Sequence, residues 1–73
     1  MKRLDIAWNA YRRQATYTFG IKYSGVVGIE SYLDCVSDVI QAVYERLEER
    51  NIKLVGKCEV YCNGKLWEVV DNG

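Results

Sequence analysis

The chain has 73 residues, with 10 lysines and arginines balancing 10 aspartates and glutamates, and 49% of it is apolar. That length supports one small core whose burial only just outweighs the entropy of folding, and residues 1–73 read as a single domain. An apolar, tyrosine-rich chain without net charge is not a disordered polyelectrolyte, and with no histidine it lacks the commonest base and a common zinc ligand.

Met1 to Asn9 starts basic like a leader, yet it never builds an uninterrupted apolar segment. Leu4, Ile6, Trp8 and Ala10 instead alternate with Arg3, Asp5, Ala7 and Asn9, the period of a strand with one buried face. Ala15, Tyr17, Phe19, Ile21 and Tyr23 alternate likewise with Thr16, Thr18, Gly20 and Lys22, predicting a second strand. Joining the two through a four-residue loop, Tyr11 to Gln14, sets Ala10 against Ala15, Trp8 against Tyr17, Ile6 against Phe19 and Leu4 against Ile21. A slip of one residue would destroy that apolar match. Gly25 and Gly28 then read as loop and helix-entry residues.

From Ile29 to Leu47 the spacing becomes three and four. Ile29, Tyr32, Leu33, Val36, Val39, Ile40, Val43 and Leu47 predict an amphipathic helix. Ser31 followed by Asp34 has the form of a capping box, Gly28 is the other candidate start, and Asn51 suits a left-handed stop. Cys58, Val60 and Cys62 then alternate with Lys57, Glu59 and Tyr61, and Asn63-Gly64 is a strong type I′ hairpin turn before Lys65 to Val70. Two-residue closure faces Val60 with Trp67 and Cys58 with Val69 inside, and Tyr61 with Leu66 and Glu59 with Glu68 outside. The predicted fold is α+β: a ββαββ chain forming a four-stranded, mainly antiparallel sheet with one amphipathic helix packed on one face. The strand order 2-1-3-4 would be fully antiparallel; a fourth strand beside the first also satisfies the patterns.

Candidate chemistry is sparse. Gly20, Gly25 and Gly28 match neither phosphate-loop nor dinucleotide spacing. The facing Glu59 and Glu68 read as a solvated pair near Lys57 and Lys53 rather than a cation site. Cys58 and Cys62, four residues apart on one strand, are separated by about 13 Å, too far for a mutual disulfide. With Cys35 making an odd count, the thiols read as reduced. No cofactor or metal is called for, and no apolar run reaches membrane-spanning length. The expected location is the cytoplasm, with no membrane partner.

Charge distribution is the distinctive feature. Residues 1–28 carry Lys2, Arg3, Arg12, Arg13 and Lys22 against Asp5, whereas residues 29–50 carry Glu30, Asp34, Asp38, Glu45, Glu48 and Glu49 against Arg46 and Arg50. The six acidic residues project from the helix side opposite Val36, a ridge of carboxylates that can occupy a basic groove as a phosphate backbone would. A solvated helix face is the plainer reading, although lysine is absent from the ridge. The basic residues Arg3, Lys22 and the Tyr11-Arg12-Arg13 tip could instead touch phosphates, with tyrosine stacking on a base.

In length, look and charge layout, the short chain with its ridge from Glu30 to Glu49 resembles small phage-encoded anti-defence proteins, including anti-CRISPR proteins. The group shares no motif, so no residue role is carried over. The resemblance implies a compact α+β inhibitor that occludes a nucleic-acid-binding surface, acting in the host cytoplasm. The expectation is therefore a non-enzymatic interaction module that docks on a larger protein or protein–nucleic-acid complex through its acidic helix face. The alternative is a small nucleic-acid-binding accessory protein using the basic first hairpin. A homodimer through the outer sheet face or an edge strand, burying Tyr61, Leu66 and Val70, is compatible with either.

Overall fold

The computed structural model describes residues 2–29 and 35–71. Its elements are β1 (Lys2–Asn9), β2 (Gln14–Phe19), β3 (Tyr23–Gly28), α1 (Val36–Glu49), β4 (Lys57–Cys62) and β5 (Lys65–Asp71). The class is α+β as expected, but the five strands form one mixed sheet in the order β3-β2-β1-β4-β5.

The expected ββαββ chain is thus βββαββ, and the difference lies after Phe19. A three-residue turn with Gly20 at φ 65° reverses the chain there, so Ile21 is fully exposed at the tip instead of facing Leu4. Gly25 and Gly28 belong to β3, antiparallel to β2 with Tyr17 opposite Gly25 and Ala15 opposite Val27, and are not loop or helix-entry residues. One extra reversal changes the direction in which the chain leaves the hairpin. As a result β4 returns parallel to β1, with Leu4 opposite Val60, and the sheet is not fully antiparallel.

The β1/β2 register is offset by two residues from the expected one: Leu4 faces Phe19, Ile6 faces Tyr17 and Trp8 faces Ala15. A shift of two keeps each side chain on its face, so the inward set survives. The loop runs over Ala10 to Arg13, not Tyr11 to Gln14. Asn9 Oδ1 accepts from the Tyr11 and Arg12 amides at 3.1 Å each, and Arg13 adopts φ 53°.

The helix starts later than its apolar spacing suggests. Cys35 is its N-cap, and Ile29 is buried in extended chain beyond β3, donating its N–H to the Arg13 carbonyl. Tyr32, Leu33 and the Ser31/Asp34 box lie outside the described residues. Val39, Ile40, Val43 and Leu47 are buried as expected, and Asn51 takes the left-handed conformation at φ 58°.

In the second hairpin Asn63 (φ 52°) and Gly64 (φ 84°) form the expected turn, and Tyr61 faces Leu66. A bulge at Trp67 then displaces the rest: Val60 faces Glu68, Glu59 faces Val69 and Cys58 faces Val70. Trp67 and Val69 are about half exposed rather than inside, and the Glu59–Glu68 pair is dissolved. Asn63 also ties the turn to β1, its N–H donating to the Ile6 carbonyl and its Oδ1 accepting from the Trp8 amide, both at 2.8 Å.

The core lies between the inner face of the sheet and α1, which packs over β1, β2 and β3. Leu4, Ile6, Tyr17, Val60 and Cys58 meet Val39, Ile40, Val43 and Leu47, all at most 2% exposed. Each large side chain so buried contributes about 1.5 to 3 kcal/mol.

Candidate functional site

The acidic helix face is built by the same period that builds the core. At 100° per residue, Asp38, Glu45 and Glu49 fall within about 40° of one line along the helix, opposite the buried stripe, over about 16 Å of axis. Glu48 flanks them, and all four are exposed. Glu30 and Asp34 lie outside the described residues.

The two arginines of this segment are differently used. Arg46 Nε lies 3.4 Å from Glu49, one turn away. Arg50 turns inward, donating to the Tyr17 hydroxyl and, at 3.3 Å, to the Ser24 carbonyl. Asp38, Glu45 and Glu48 form no ion pair among the described residues. Asp38, in the first turn, complements the helix dipole, whereas Glu48 and Glu49 sit in the last turn, where the dipole disfavours anions.

The basic candidates do not form one patch. Arg3 and Lys22 lie at the end of the sheet carrying the β2–β3 turn, and Tyr11, Arg12 and Arg13 at the opposite end, about 20 Å away along β1. Arg3 is engaged on the outer face, where its guanidinium pairs with Asp5 at 2.9 Å and stacks 3.7 Å from the Tyr61 ring. The Arg13 guanidinium lies 5.3 Å from the Trp8 ring. Tyr11 is fully exposed at the tip.

Open depressions occur among the described residues. One, of about 530 Å³, is lined by Lys2, Phe19, Ile21, Lys22 and Tyr23 at the β2–β3 turn. Another, of about 620 Å³, lies between Tyr44, Leu47, Glu48, Lys53 and Val70. No group of three or more histidine, cysteine or acidic residues able to hold a metal ion occurs among the described residues. No described helix is long and apolar enough to cross a membrane.

Cys58 and Cys62 are buried, and burial pushes both thiols up. Cys35 is exposed, and its bond to the Ser37 hydroxyl at 2.9 Å holds its thiol below the usual value.

Simple alternation along β5 puts Glu68 outward, but the bulge turns it to the helix side, where it accepts from the Tyr44 hydroxyl at 2.5 Å. Burial, and then the bond to Glu68 and its charge, push the Tyr44 phenol far above its ordinary value of 10.0. A phenol kept protonated in the fold but free to ionise in the unfolded chain stabilises the fold fully below that ordinary value. The contribution is lost as pH rises from there toward the folded value. Thermal melts should therefore show wild-type stability falling above about pH 10 more steeply than that of Tyr44→Phe. Parallel profiles would mean that the Tyr44–Glu68 contact has no such role.

No protein-family model matches the chain, and no curated protein or solved structure matches it.

Proposed function

We propose that this protein is a small non-enzymatic interaction module, an inhibitor of the kind encoded by phages and mobile elements, that docks on a larger nucleic-acid-handling complex through the acidic side of α1. The observation that carries the reading is the alignment of Asp38, Glu45 and Glu49, flanked by Glu48, along one exposed side with no lysine among them. Placing Glu48 and Glu49 in the last turn costs a few tenths of a kcal/mol each against the dipole, a departure from the local rule that marks a surface kept for binding. Carboxylates spaced one to two turns apart present a basic groove with spaced negative charge, as a nucleic-acid backbone does. The basic residues, divided between two ends of the sheet, offer no comparable continuous tract.

Capture from a lysate of the native host should recover a basic, nucleic-acid-handling complex with the wild-type chain. The triple variant Asp38→Lys/Glu45→Lys/Glu48→Lys should bind it on the order of 100-fold more weakly, with an unchanged circular-dichroism spectrum. Equal affinity of the triple variant would remove the ridge from the interface.

A further inference from the structure

The two edges of the sheet are unlike. β5 carries Lys65, Glu68 and Asp71 and the bulge at Trp67, devices by which an edge strand resists pairing with another chain. β3 has none of them. Tyr23–Gly28 contains no charged residue and no proline, pairs with β2 without a register break, and exposes Tyr23 (45%) and Val26 (51%).

The direction of its backbone groups follows from one hydrogen bond. Ile29 N–H reaches the Arg13 carbonyl on the β2 side. Groups alternate along a strand, so those of Gly25 and Val27 also point to β2, and those of Ser24, Val26 and Gly28 point out of the sheet. The Arg50 contact occupies one lone pair of the Ser24 carbonyl and leaves the other.

We propose that β3 is a dimer edge: a second copy of this chain adds its own β3, antiparallel, about a two-fold axis at Val26. Val26 then faces Val26 of the second copy, and Ser24 faces Gly28 of the second copy, so that the outward amides and carbonyls of all three exchange hydrogen bonds. Gly25, which has no side chain, lies opposite Val27 of the second copy, a small residue against a large one. A two-fold axis sets a strand against itself, and any charge on the axis meets its own kind. β3 has no charge to repel, whereas β5 holds Glu68 near its centre. The axis runs perpendicular to the sheet, so both helices fall on one face of a continuous sheet with their acidic sides retained. The pairing is independent of the ridge, and either can fail without the other.

Sedimentation equilibrium at micromolar concentration should give the wild-type chain twice its 8.4 kDa mass. Val26→Lys, which sets two ammonium groups face to face, should run at the single mass with its circular dichroism unchanged, and Val69→Lys on β5 should keep the doubled mass. A wild-type monomer, a dimeric Val26→Lys variant, or a dimer abolished by Val69→Lys would each overturn the proposal. Val26→Cys in a Cys35→Ser background gives a test that does not depend on tolerating a lysine. Facing residues of a hydrogen-bonded antiparallel pair stand about 5.5 Å apart at Cα, within disulfide reach, so mild oxidation should cross-link the two copies. Failure to cross-link would overturn the axis at Val26.

Discussion

Gly25→Val should cost about 3 kcal/mol of stability, read as a lowered urea midpoint at fixed chain concentration. A Cβ at this position would lie 2.6 Å from the Tyr17 hydroxyl oxygen, 2.8 Å from Cζ of that ring and 2.9 Å from a guanidinium nitrogen of Arg50. The ring cannot yield, because Tyr17 is fully buried between the sheet and the helix with its hydroxyl held by Arg50. At about 0.05 to 0.15 kcal/mol per residue a domain of this size holds only about 4 to 11 kcal/mol in all, so the variant should lose a quarter or more of its stability. Gly28 is the control. A Cβ there meets nothing within 4 Å, and Gly28→Ala should stay within about 0.5 kcal/mol of wild type. Equal midpoints for the two variants would show that the Tyr17–Gly25 contact does not constrain the fold.

Leu47→Ala should cost about 2 to 5 kcal/mol, the range for removing a buried leucine from a core that relaxes only in part. Leu47 is 1% exposed in the core, so its side chain holds the end of α1 on the sheet, while its main-chain carbonyl, which the variant keeps, accepts the Ile52 amide at 2.8 Å. Glu45→Ala, on the opposite side of the same helix, should be close to neutral. Urea denaturation of the pair separates the two faces. A loss below about 1 kcal/mol for Leu47→Ala would mean that the helix end is not held as the packing indicates.

The inner faces of β1, β2 and β4, the Asn63-Gly64 turn and the inner face of the helix were legible because each rests on a local rule, whereas the last strand was placed in the chain but not its inward side. Alternation placed Leu4, Ile6, Tyr17, Cys58 and Val60 inside, and the three-and-four spacing did the same for Val39, Ile40, Val43 and Leu47. β3 was missed because Gly25 and Gly28 read as loop punctuation, although a short gap containing Gly20 before a β-branched pair is itself a hairpin signal. Gly25 is in a strand because the Tyr17 ring needs the space where its side chain would be.

Among the candidate site residues, Asp38, Glu45, Glu48 and Glu49 could be assigned to one helix side from spacing alone. Helical period is a property of a single segment, and its exposed side is fixed once its apolar side is buried. The engagement of Arg3 by Asp5 and Tyr61, the turning inward of Glu68 and Arg50, and the division of the basic residues between two ends of the sheet were not readable in this way. Each depends on how strands far apart in the chain lie side by side, and one unforeseen reversal at Gly20 or one bulge at Trp67 changes such neighbours and the faces of the residues that follow it. Periodicity along the chain decided which residues of β1, β2, β4 and α1 face inward, and only the assembled sheet decided which of them meet and which way β5 turns its side chains, because contacts between strands are set by direction and register and not by composition.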